Sequence, residues 1–155
     1  MRFMRIAVTL LLGALALPVL AQDKPADTMQ ILREKIKADK KLLVAVNMDL
    51  TDKEAQAFWP IYESYQKDLG ALNGRTVGLI REYAKNYQAM TDEVAKKLVG
   101  DYLAIDQDRL QVKQSYLPQL RQALPEKKVA RYIQIENKIE ALIRYELADN
   151  IPLVK

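Results

Sequence analysis

The chain of 155 residues contains no cysteine and no histidine. The first absence excludes a disulfide scaffold, so packing alone has to supply stability. The second removes the commonest general base and transition-metal ligand. Beyond the first two dozen residues only Met29, Met48 and Met90 remain as soft donors, too few and too scattered for a copper site. No Gly-x-Ser-x-Gly is present, and Ser64 and Ser115 have no imidazole to activate them. Glycine is also scarce, with five residues in all, yet three stand in the single stretch Gly70-Ala71-Leu72-Asn73-Gly74-Arg75-Thr76-Val77-Gly78.

Long apolar runs are confined to the beginning, MRFMRIAVTLLLGALALPVLAQ. Arg2 and Arg5 precede an uncharged core, and Val19-Leu20-Ala21 places small residues at a cleavage site, the pattern of a secretory signal peptide over 1–21. An uncleaved anchor is the alternative, although the run is short for one. Residues 22–27 (QDKPAD) read as a disordered polar lead-in. The rest, 28–155, is expected to form a single helical domain. Of the 24 Lys and Arg residues two fall in the leader, leaving an excess of two over the 20 Asp and Glu. A balance so near neutral, without a basic block, argues against a nucleic-acid partner.

What is present is helical periodicity. Ile31, Leu32, Ile36, Leu42, Leu43 and Val46 mark a basic amphipathic helix over about 28–48, whose lysines at 35, 37, 40 and 41 read as a solvated face. Thr51-Asp52-Lys53-Glu54 is a capping box that opens a second helix. From Phe58 through Tyr62, Tyr65, Leu69, Leu72, Thr76 and Leu79 to Tyr83, apolar positions recur at steps of three and four straight across the glycines, which predicts one helix over about 52–88. Thr91 caps a third helix, about 91–123, with the seam Leu98, Tyr102, Ile105, Arg109, Val112, Tyr116 and Leu120. A fourth starts at Pro125 and runs to about 148. Nothing reads as a strand, and the short connections require antiparallel neighbours: an all-α fold of four helices built on a long antiparallel hairpin.

With a turn at Ala89–Met90, Pro60 and Pro118 fall in one layer of the hairpin and are expected to bend it as a unit. Across the next turn Arg109 comes level with Glu140 and within reach of Glu136, predicting a partly buried ion pair that sets register, or a functional carboxylate pair. As an acid catalyst that pair is poor, because a neighbouring arginine keeps both carboxylates ionised. The expectation is a non-enzyme without cofactor or metal. Trp59 and Tyr145 lie off the main stripes of their helices and are candidates for an exposed surface that holds polypeptide. Gly70, Gly74 and Gly78 lie opposite the seam, among Lys67, Arg81 and Lys85. A charged surround excludes a membrane contact, and the missing strand and Gly-Lys-Ser/Thr ending exclude a phosphate loop. A helix break, a soft helix, or a close approach of another backbone remain.

A cysteine-free helical chain with a leader and Leu50-Thr51-Asp52-Lys53-Glu54 at a helix start resembles the LTxxQ-motif family of periplasmic proteins, the Spy/CpxP-like group. Glu54 stands where the motif has Gln, and the second copy is reduced to Leu124-Pro125-Glu126-Lys127-Lys128. The resemblance implies a bent helical homodimer in the periplasm, not inserted in the membrane after cleavage. Its partners would be unfolded envelope proteins, bound without ATP, or the periplasmic domain of a sensor kinase; a structural envelope role is the third reading. The family's metal sensing, which uses His, Cys or Met ligands, has no counterpart here.

Overall fold

The computed structural model describes residues 40–154, and the expected leader, lead-in and first part of the first helix lie outside that range. The described residues form four helices: α1, described over 40–48; α2, Asp52–Asn86; α3, Asp92–Ala123; and α4, Glu126–Asn150. A 3-10 turn, Tyr87–Ala89, joins α2 to α3. There is no strand among them, so the fold is all-α.

Each boundary has a local cause. The Glu54 amide donates to the Thr51 hydroxyl at 3.3 Å, and the Thr51 amide donates to the Glu54 carboxylate at 2.8 Å, so two amides at the start of α2 are satisfied reciprocally. Glu54 also accepts from Lys128 Nζ at 2.6 Å, which ties this cap to the first turn of α4. The Lys128 hydrogen bond, helped by the Thr51 amide, holds its carboxyl below the usual range. The Val94 amide donates to Thr91 Oγ1 at the start of α3. Leu124 and Pro125 are extended, which stops α3, and Pro125 is the residue before α4 rather than its first member.

The glycines do not interrupt α2, and none of them has a positive φ. Pro60 and Pro118 lie inside α2 and α3 and both face solvent. Each deprives the carbonyl four residues earlier, on Gln56 and Gln114, of its helical donor, and both glutamines are exposed, so water can take its place.

α2 and α3 pack as an antiparallel hairpin in the register the turn requires. Lys97 meets Glu82 near the turn, Arg75 meets Asp108 midway, and Tyr116 meets Asp68 farther down. α4 returns antiparallel to α3 and parallel to α2, from Lys128 at Glu54 to the Pro152 carbonyl, which accepts from Tyr83. α1 runs antiparallel to α2, with Lys40 at Gln66 and Lys41 at Glu63.

The core lies where the N-terminal half of α2, the C-terminal part of α3 and the start of α4 meet α1. It comprises Val44, Met48, Phe58, Tyr62, Tyr65, Leu69, Leu120, Leu124, Val129 and Tyr132. The Tyr132 ring stands edge-on to Phe58, with centroids 5.0 Å apart, and Tyr65 is edge-on to Tyr116 at 5.3 Å. Such pairs contribute about 0.5–1.5 kcal/mol beyond their buried area. Along α2 the seam is buried as far as Leu72 and only partly covered at Thr76, Leu79 and Tyr83.

Candidate functional site

Two regions carry polar or apolar groups that packing alone does not require. The first lies under α1. Lys40 is one helical turn from Val44 and two from Met48, so the three share the face that α1 turns inward. Val44 and Met48 are fully buried, and burial of a side chain of that kind contributes about 1.5–3 kcal/mol. Lys40 Nζ donates to Glu136 Oε2 at 2.7 Å and to Gln66 Oε1 at 2.8 Å. Gln66 Nε2 donates to Glu136 Oε1 at 3.0 Å and lies 3.4 Å from the Tyr132 hydroxyl. Glu136 is only 4% exposed, and this set of donors is what permits a carboxylate there. Burial first, and then the negative charge of Glu136, push the Tyr132 phenol far above its usual range; Tyr62 and Tyr65 shift upward for the same two reasons. All three are neutral donors or acceptors at any physiological pH.

The second region is the far half of the bundle, where α4 is tied to α3 mainly by charge. Glu140 accepts from Lys113 at 3.3 Å and from Arg144 at 2.9 Å, and Arg144 reaches across to Asp106 at 2.8 Å. Burial pushes the Glu140 carboxyl up, but Lys113 and Arg144 outweigh it and leave its pKa below the usual carboxylate value. Asp106 is lowered chiefly by its hydrogen bond from Arg144. Between α2 and α3 lies an open groove of about 280 Å³ lined by Arg75, Leu79, Glu82, Asp101 and Ile105. Its charged rim lacks the enclosed apolar lining of a small-molecule pocket.

Around this charged lacing, apolar side chains face outward. Val99, Leu103 and Leu110 follow helical spacing along one side of α3, with Tyr102 beside them, and Leu142, Ile143 and Tyr145 are exposed on α4. The Arg144–Asp106 bridge sets the two groups at the same level. Tyr102 occupies a seam position yet is 49% exposed.

The expected grouping of Arg109 with both glutamates is divided. Arg109 Nε lies 3.8 Å from Glu140, while its guanidinium turns to α2, donating to Asn73 at 3.1 Å and Thr76 at 3.5 Å. Glu136 has no ion pair with Arg109. It is one turn nearer the start of α4, on the side facing α1, and Lys40 takes it instead. Trp59 also requires correction as a candidate exposed surface: it is half-buried at the edge of the core. Its ring is edge-on to Phe58 and Tyr62, and Lys41 Nζ lies 5.3 Å from the ring centroid. Tyr145 is 67% exposed. Gly70, Gly74 and Gly78 are exposed, and a Cβ at any of them would have nothing within 4 Å among the described residues.

Lys40, Gln66 and Tyr132 are the site residues that sequence reasoning missed as a group. The available signal was the spacing of Lys40, Val44 and Met48, which sets one lysine of a charged run on the apolar face. Among the described residues no group of three or more acidic, cysteine or histidine side chains could hold a metal ion, and no helix is long and apolar enough to cross a membrane.

The fold and these two regions define a helical bundle with a polar, aromatic-walled centre at one end and exposed apolar side chains at the other. Comparison with known proteins finds no matching family model, no matching curated protein and no matching solved structure.

Proposed function

We propose that this chain is an exported, periplasmic protein that binds unfolded or stress-damaged polypeptide without ATP, in the manner of the Spy/CpxP-like group. The observation that carries this reading is the exposure of Val99, Tyr102, Leu103, Leu110, Leu142, Ile143 and Tyr145 around the charged lacing of α3 and α4. Apolar side chains set singly among Lys, Arg, Asp and Glu give many weak contacts rather than one deep one. The nearby charges speed encounter and keep the surface hydrated between contacts. The resemblance at Leu50-Thr51-Asp52-Lys53-Glu54 points the same way and adds the expectation of a homodimer.

The test is the aggregation of a chemically denatured client, followed by light scattering, with the protein at near-stoichiometric ratio and no nucleotide. Suppression is expected, and replacing Leu103, Leu110 and Leu142 together with serine should weaken it while the helical content stays unchanged. A protein that leaves aggregation unaltered, or that crosslinks in envelope extract to one saturable partner and no denatured client, overturns the reading.

A further inference from the structure

We propose that α1 is a displaceable strap over an aromatic groove with an acidic floor, and that the groove accepts in its place a basic amphipathic helical segment of a client polypeptide. The inference rests on the polypeptide-binding reading and names where, and for which chemistry, binding is strongest. The groove is walled by Phe58, Trp59, Tyr62 and Tyr132, floored by Glu136 and edged by Glu63.

Its present occupant defines what fits. α1 presents Lys40 to Glu136, sets Val44 and Met48 at the next two turns into the core, and places Lys41 against Glu63 and the Trp59 ring. A cation followed by apolar residues four and eight positions later is a common pattern in amphipathic helices, and its recognition needs no particular sequence. An acidic segment would bring carboxylates against Glu63 and the buried Glu136, so the site selects for positive charge.

Three observations make α1 the movable part. It joins α2 only through Asp49, Leu50 and Thr51, and Asp49 has φ 46°, a left-handed conformation at a single non-glycine residue. The Asp49 carbonyl accepts from Lys128 Nζ at 2.6 Å, so the pivot is anchored to α4, while the described helix beyond it is held through the side chains of Lys40, Lys41, Val44 and Met48. Finally, α1 has apolar side chains on its outer face as well, with Leu42, Leu43 and Val46 exposed, which a helix docked once and for all does not need. When α1 lifts, Glu136 keeps Gln66 as a donor and gains water or the incoming cation, so opening does not leave a buried charge unpaired.

The proposal is tested with the full chain and two fluorescent nonapeptides, KKLLVAVNM, which copies residues 40–48, and its uncharged counterpart QQLLVAVNM. In the wild type the tethered strap competes at an effective concentration in the millimolar range. Lys40→Ala weakens the strap and should tighten binding of KKLLVAVNM about fivefold or more, because the open state is no longer rare. QQLLVAVNM should bind more weakly than KKLLVAVNM, and Glu136→Gln should shrink that difference to the part that the second lysine owes to Glu63 and Trp59. Equal affinity of the wild type and Lys40→Ala, or of the two peptides, overturns the proposal. Should Lys40→Ala lose its helical signal, Val44→Ala takes its place, since it loosens the strap without touching the ion pair; the same increase in affinity is required. Client aggregation separates the two levels of inference. Suppression by the wild type that Lys40→Ala leaves unchanged removes the strap and keeps the polypeptide-binding reading. Suppression by neither removes both.

Discussion

Replacing Gly70, Gly74 and Gly78 together with alanine decides what the thinned face of α2 is for. All three sit inside a continuous helix, none has a positive φ, and an added Cβ meets nothing within 4 Å among the described residues. The substitution therefore creates no clash and removes no contact, and only the backbone preference is left. Alanine is favoured over glycine by about 0.8–1 kcal/mol per site in helical peptides and by about 0.4–1 kcal/mol where the gain comes from restricting the unfolded chain. Three independent sites give about 1–3 kcal/mol, which for a domain of this size corresponds to a melting temperature higher by roughly 4–10 °C. Thermal unfolding followed by circular dichroism measures it, with each single variant contributing about a third of the rise. A melting temperature that falls or stays level refutes the reasoning, since it requires a neighbour close to this face. Sedimentation identifies that neighbour: if the triple variant dissociates where the wild type is dimeric, the glycines are a docking face between copies. If the variant is more stable and suppresses aggregation less well, softness in the middle of α2 serves binding.

The same geometry fixes the sign of three further outcomes. Breaking a buried ion pair from one side costs about 3–5 kcal/mol when its surroundings hold still. Because α1 can lift and admit water to Glu136, Lys40→Met should cost less and should appear as faster amide exchange over residues 44–48; a fall of the full amount in the global urea midpoint would refute this. Tyr62, Tyr65 and Tyr132 have phenol pKa values raised by burial, so the stability of the neutral form is complete below the unfolded value of 10.0 and is lost as pH rises above it. Phenolate absorbance should rise in two stages, the later one together with loss of helix; eight tyrosines titrating smoothly around pH 10 in a helical protein would contradict it. Glu140 and Asp106 have lowered pKa values, so their contribution is present above the unfolded values of 4.5 and 3.8 and disappears as pH falls through the folded ones. Amide exchange in the second half of α4 should accelerate over that acid range, and Arg144→Met should flatten the dependence; an equal slope in the variant rejects the assignment.

The helices were legible because each has a local cause that needs no neighbour. The Thr51–Glu54 box, the Thr91 hydroxyl and the Leu124–Pro125 stop all act within four residues, and the stripe from Phe58 to Tyr83 ran through three glycines without a phase change. The hairpin register followed from the position of the turn, which sets Arg75 against Asp108. The site was less legible because periodicity states which side of a helix is covered, not by what. Glu136 lies on the covered side of α4, but that side faces both α1 and α2, and within a run of lysines only the spacing of Lys40 to Val44 and Met48 marked the one facing inward, against the competing stripe of Leu42, Leu43 and Val46. Trp59 lies off the stripe that meets α3, and is covered by a different neighbour, Lys41 of α1. Tyr102 is the opposite case. It keeps its place on the stripe of α3, yet its side chain is half exposed, so the stripe alone did not say how far a neighbour would cover it.

Stability and exposure divide along the length of the bundle, and the division bears on how the weak binding proposed above would coexist with a persistent fold. At one end Phe58, Tyr62, Tyr65 and Tyr132 interlock and Val44, Met48, Leu120 and Leu124 fill the space around them, so most of the buried apolar area lies there. At the other end the contacts that hold α2, α3 and α4 together include Arg75–Asp108, Lys97–Glu82 and Arg144–Asp106, each with both partners at least a third exposed. Surface pairs of this kind contribute about 0–1 kcal/mol each and weaken with salt. That end therefore opens at a lower free energy than the aromatic one, and Gly74 and Gly78 lie in the part of α2 that belongs to it. Side chains such as Leu103, Leu110 and Leu142 are exposed where the fold does not depend on burying them, so under the proposed reading they would meet a client without competing with the protein's own core. The aromatic end stays folded while the charged end adapts, and salt should loosen the second without melting the first.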